Sequence, residues 1–269
     1  MQRSKDFAFE YATAQTSEVA IANIGGRGQS RFSSRRGSHA GLNHIFGFAR
    51  SRIHTMLRNV NDLYGFSVAA SDGPIGEVRD CFFDDQAWTI RFFVVEAGPW
   101  LGGRKVLISP IALIGLDWAG KALSASVTRD QVKGSPDIDT RKPVSRQHEV
   151  EQFGYYGHPY YWGEPQLWGA GPRPGMSLAG YSSEQLPNQQ RETTKFVDAQ
   201  LKLHRDRGDD PHLRSCRAVE RYHIHATDGD IGHVDSLLVE DESWAIRYLV
   251  VNTSDWWLGH QMLVAPPWI

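Results

Sequence analysis

The chain has 269 residues, 41% hydrophobic and 22% charged, a balance that suits a soluble globular protein with room for two modest domains. Its formal charge of −2 excludes wholesale attraction to a phosphate backbone, so no nucleic-acid partner is expected. Two cysteines, Cys81 and Cys216, do not correspond under the 156-residue spacing described below, so no disulfide framework is expected and a reducing, cytoplasmic setting is. No apolar run reaches the roughly 20 residues a membrane-spanning helix needs, so membrane insertion is not expected either.

Charge is unevenly spread. Residues 1–55 carry eight Lys/Arg against three Asp/Glu, and the remainder 21 against 28. The first stretch is rich in Gly, Ser and Arg ("GGRGQSRFSSRRGSHAG"). It holds too little apolar surface to offset chain entropy and is read as a disordered basic segment. A basic arm or a transit peptide are the alternatives. Met56 directly precedes "LRNVNDLYG" and is taken as the authentic start.

From residue 57 the pattern turns to strands. "FSVAA" (66–70) leads into Asp72-Gly73, a hairpin-turn pair in which glycine takes positive φ freely. "IGEVRDCFF" (75–83) and "WTIRFFVV" (88–95) follow. In the latter, Trp88, Ile90, Phe92 and Val94 alternate with Thr89, Arg91, Phe93 and Val95. Both sets become apolar toward the end, which suits a strand covered on two sides. "KVLIS" (105–109) and "ALSASV" (122–127) add strands, and "TRDQVKG" (128–134) reads as a short helix. A helix is also expected from Ser145 to about Phe153, followed by the aromatic group Tyr155, Tyr156, Tyr160, Tyr161 and Trp162. The Gly/Pro-rich and then charged residues beyond read as a flexible linker.

The phrase "ASDGPIGEVRDCFFDDQAWTIRFFVV" (70–95) returns as "ATDGDIGHVDSLLVEDESWAIRYLVV" (226–251). Asp72 and Asp228, Gly73 and Gly229, Gly76 and Gly232, Trp88 and Trp244, Arg91 and Arg247, and Trp100 and Trp256 are all 156 positions apart. Such repetition predicts a duplicated unit. The expected fold is all-β, with two small barrels: residues 57–136, an extension at 137–162, a linker at 163–212, and a second barrel at 213–269. The second copy ends where the first has position 113, so it is read as lacking its last strand and terminal helix. The exposed edge this leaves invites strand addition or homo-oligomerisation.

The doubled D-G-x-I-G-x-V, followed by W-x-I-R-[FY]-x-V-V and a strand ending in Ser/Ala-Pro, resembles the PRC-barrel. That fold is shared by the cytoplasmic part of the photosynthetic reaction-centre H subunit and the C-terminal half of the ribosome maturation factor RimM. The chain is most similar to bacterial proteins with tandem PRC-barrels, and the resemblance covers 57–162 and 213–269. It implies a non-enzymatic binding or scaffold role. The alternative it implies is a regulatory module of a membrane electron-transfer complex or of ribosome assembly.

The motif residues have mostly structural readings. Asp72 and Asp228 either cap turns or present carboxylates to a ligand. Gly76 and Gly232 mark bulges or close backbone approach. Arg91 is expected to pair with Glu77, Asp80, Asp84 or Asp85, and Arg247 with Asp235 or Glu240, with anion binding as the other reading. Trp88 and Trp244 read as packing residues; Trp100, Trp256, Trp257, Tyr160, Tyr161 and Trp162 read as a partner surface. His223, His225 and His233 are either solvated or a zinc set, and the former is adopted, so no metal or cofactor is expected. A hydrolase using Asp228 with His225 lacks an oriented nucleophile. The expected partner is a protein.

Overall fold

The computed structural model describes residues 55–138, 144–162, 165–169, 171–179, 211–226, 229–253 and 260–268. They are mostly β, and among them no helix is long and apolar enough to cross a membrane. In chain order come β1 (Leu57–Asn59), β2 (Ser67–Ala70), β3 (Gly73–Asp84), β4 (Thr89–Ala97), β5 (Lys105–Ile108), β6 (Leu113–Asp117) and β7 (Ala122–Ala125). Helix α1 (Arg129–Gly134) precedes β8 (Val144–Ser145), α2 (Arg146–Tyr156) and α3 (Pro174–Ala179). Then follow β9 (Pro211–Ser215), α4 (Cys216–Val219), β10 (His223–Ala226), β11 (Gly229–Glu240), β12 (Ile246–Asn252) and β13 (Gln261–Val264).

β4 is buried along both faces except at Glu96, which its run of aromatic and β-branched side chains requires. One sheet has the order β5-β4-β3-β2-β7-β6, and the other β1-β11-β12-β13 with β10 on β11. β2 and β7 run parallel, Ser67 opposite Ala122. Asp72 does not end its work at the turn: its Oδ1 accepts from the Arg129 N–H at the start of α1, 2.8 Å away. Thr128 and Gln131 complete a capping box there, so three side chains satisfy orphan donors of a helix too short to hold itself. The turn itself is Ser71–Asp72, and Gly73 opens β3 with φ 146°.

The 156-residue spacing recurs in backbone detail. Register shifts fall at Val78/Asp80 and Phe82/Phe83 in the β3–β4 pair, and at Val234/Ser236 and Leu238/Val239 in the β11–β12 pair. A further shift at Val68/Ala69 has its counterpart at Ile224/His225. Bulges bend strands and sharpen their twist, so both hairpins curl at matching places. Gly76 and Gly232 sit inside these bends, where a Cβ would lie 1.9 Å from the Glu96 carbonyl oxygen and 2.1 Å from that of Asn252. Gly232 also has φ 143°. Gly76→Ala and Gly232→Ala are each expected to lower the unfolding free energy by about 1–3 kcal/mol through forced backbone displacement. Chemical denaturation of each variant checks this, with Gly65→Ala, where no neighbouring atom is approached, as the comparison for backbone strain alone.

The short outer strands cross over. β1 does not pair with the hairpin that follows it; Leu57, Arg58 and Asn59 face Glu240, Val239 and Leu238 of β11. β9 reciprocates, with Leu213, Arg214 and Ser215 facing Asp84, Phe83 and Phe82 of β3. Side chains follow the same exchange: Arg58 pairs with Asp241 at 3.4 Å and Arg214 with Asp85 at 2.5 Å. Each segment thus supplies a strand to the other, and the two β units share a hydrophobic core.

Candidate functional site

The hairpin tips meet at a pseudo-twofold seam. Ile90 N–H donates to the Trp244 carbonyl at 2.9 Å, and Ile246 N–H donates to the Trp88 carbonyl at 2.7 Å. Thr89 and Ala245 form an antiparallel bridge between these bonds. Trp88 and Trp244 both adopt left-handed backbone, φ 47° and 61°, uncommon for so large a residue and held here by hydrogen bonds on either side. Phe83 stacks on Trp88 with centroids 5.4 Å apart, and Phe93 meets Trp244 edge-on at 4.9 Å.

Two arginines flank this seam in unlike surroundings. Arg91 is 1% exposed. Its Nη2 lies 3.3 Å from Asp84 Oδ2, and its Nη1 donates to the Leu167 carbonyl. Its guanidinium carbon sits 3.4 Å from the Tyr161 ring centroid and 4.7 Å from that of Trp168, a doubly stacked cation. Asp84 Oδ1 is also occupied, accepting from the Gln86 and Ala87 amides. The covering rings are themselves tied down. Tyr161 donates its hydroxyl to buried Glu149, and Trp168 Nε1 donates to the Ser243 carbonyl at 2.7 Å.

These rings arrive on residues 144–169. β8 extends the first sheet by pairing Val144 with Leu213 of β9. α2 lays Phe153 edge-on against Phe92, and α3 packs near Pro110–Ala112. Tyr160 and Tyr161 are buried, so their rings face the protein's own interior. Trp162 is half-buried against Phe153, Tyr160 and Tyr161. Burial pushes the His158 imidazole down to about 4. Trp168 carries no periodicity signal; the clue to it was a lone tryptophan in the Gly/Pro-rich stretch that reads as linker.

Arg247 occupies the position matching Arg91, and its Nη2 lies 2.6 Å from Glu240 Oε2. Nearly half its side-chain surface is open to solvent, however, at 49%. Burial pulls the Glu240 carboxyl upward, but hydrogen bonds from Ser243 and Arg247 outweigh it and hold the group below its ordinary value. Beside this pair lies an open cleft of about 700 Å³ lined by Leu57, Trp88, Tyr248, Pro266 and Pro267 as well as Arg247. Leu57 is 48% exposed, whereas Leu213, which matches it, is fully buried.

The other sites are placed as follows. Trp100 is half-buried, donates Nε1 to the Ile75 carbonyl at 2.9 Å, and has the Arg129 guanidinium 4.2 Å from its ring. Gly229 opens β11 with φ 148°. Asp228, Trp256 and Trp257 lie outside the described residues. His223 and His233 face each other across β10 and β11, ring centroids 6.4 Å apart, and His225 contacts Asp230. Among the described residues no three His, Cys, Asp or Glu side chains converge as a metal set. β10 pairs with β11 alone among the described residues, whereas β2, its counterpart, also holds β7. No family model matches the chain, and no curated protein matches it.

Proposed function

We propose that the chain is a tandem PRC-barrel protein in which one ancestral β unit occurs twice, and that it acts as a non-enzymatic binding or scaffold module for a protein partner in the cytoplasm. The observation that carries this reading is the open cleft at the seam. An apolar, proline-lined cleft with a half-exposed arginine suits another protein's side chains. The matching bulges, crossed strands and seam hydrogen bonds support duplication, and what recurs at the 156-residue spacing is packing: Arg91 and Arg247 each answer a carboxylate. The β10 edge adds a second place where strand addition, from a partner or a second copy of this chain, is favourable.

The test is recovery of the tagged full-length chain from its native host after brief crosslinking, with the attached proteins identified by mass spectrometry. A defined protein in fixed ratio is the expected result. Repeated recovery of the chain alone contradicts the reading.

A further inference from the structure

One difference between the two faces of the pseudo-twofold concerns the cleft. Leu167, from the 144–169 segment, borders the Arg247 cleft, and five other lining residues have counterparts on the Arg91 side: Leu57 with Leu213, Trp88 with Trp244, Tyr248 with Phe92, Pro266 with Pro110, Pro267 with Ile111. All five of those counterparts are buried, and so is Arg91. What separates the two sides is the 144–169 segment, which covers the first with strand β8, helix α2 and the Tyr161 and Trp168 rings. β9 is accordingly bordered by β3 and β8, while β1 is bordered by β11 alone among the described residues.

We propose that the Arg247 cleft is a docking site for an aromatic-bearing strand–helix segment of another protein, seated as residues 144–168 are seated on Arg91. The partner's strand pairs with the outer edge of β1, as Val144 pairs with Leu213. Its aromatic ring lies over the Arg247 guanidinium, as Tyr161 lies over Arg91. An indole N–H reaches the Ala87 carbonyl, the position matching the Ser243 carbonyl that Trp168 engages. Arg247 supplies the cation for stacking and a rigid donor fork. Exposed Leu57 and Pro267 supply apolar surface. The cleft is also continuous with the seam that already holds the two segments together, sharing Trp88, Ala245 and Ile246 with it. This inference rests on the binding reading above and narrows it to one face and one ligand chemistry.

The probe is a synthetic, fluorophore-labelled peptide with the sequence of residues 144–169, titrated into the full-length chain and followed by anisotropy. Saturable one-to-one binding is expected. It should weaken at least tenfold for Arg247→Ala and for Leu57→Asp, and equally when the peptide carries Trp168→Ala. Unchanged melting temperatures establish that both protein variants stay folded. Absence of binding overturns the proposal. So does binding indifferent to Arg247→Ala, which would mean that the peptide exchanges into the Arg91 side. A concentration-dependent dimer abolished by Arg247→Ala assigns the cleft to a second copy of this chain and overturns it as well. If a host protein still co-purifies with the Arg247→Ala chain, the docking site lies elsewhere and only this inference fails.

Discussion

Replacing Arg91 with alanine is expected to lower the unfolding free energy by about 3–5 kcal/mol, whereas the same change at Arg247 costs less than about 1 kcal/mol. The two residues occupy matching positions and each faces a carboxylate, so local sequence does not set the difference. Burial does. Arg91 is sealed beneath Tyr161 and Trp168, and its loss removes the guanidinium that faces the buried Asp84 carboxylate and hollows out the space below two rings. Arg247 keeps much of its hydration, and solvent screens its pair with Glu240. Asp84→Asn should approach the cost of Arg91→Ala, because it leaves a buried guanidinium without its counter-charge. Urea denaturation of the variants at neutral pH, followed by tryptophan fluorescence, reads all of this. Equal losses at Arg91 and Arg247 would show that the 144–169 segment does not shield its arginine.

Acid should weaken the protein through His158 before most carboxylates titrate. The imidazole is buried against Phe153 and Tyr156, and burial holds it at about 4, below its ordinary 6.5. The folded state therefore prefers the neutral ring more strongly than the unfolded chain does. Its contribution is fully present above pH about 6.5 and is lost as pH falls through that window toward about 4, a drop of about 3 kcal/mol. Glu240, held below its ordinary value, adds a loss at the acid end of the range. Measuring unfolding free energy against pH for the parent and for His158→Phe isolates the histidine part. The difference between the curves should grow from pH 6.5 to 4, and a constant offset would contradict the assignment.

Much of the β architecture is legible from residue types. Alternation in "WTIRFFVV" and the glycine within each bend mark β3, β4, β11 and β12, and the 156-residue spacing shows that they come in two sets. The partners of the shortest strands are not legible. "LRN" and "LRS" carry no local indication that they cross to the opposite hairpin, because the residues they pair with, Leu238 to Glu240 and Phe82 to Asp84, lie far off in sequence. Similarly, four carboxylates near Arg91 were equivalent on paper. The register shift at Phe82/Phe83 skips Arg91 and sets Asp84 opposite Thr89, and of the four it is Asp84 whose Oδ2 the guanidinium meets, at 3.3 Å. β6 went unread since "LIGLD" places a glycine inside a strand. The aromatic extension reads as a sticky surface in isolation; only folded back on Arg91 do Tyr160 and Tyr161 become interior residues.

The reciprocal strands make the two segments one interlocked body. A protease site introduced between residues 185 and 205 of the full-length chain allows the connection to be cut after folding. After complete cleavage, size-exclusion chromatography under native conditions should show both fragments eluting together at the volume of the uncut protein. Fragments that separate without denaturant would contradict the crossed pairing of β1 with β11 and of β9 with β3.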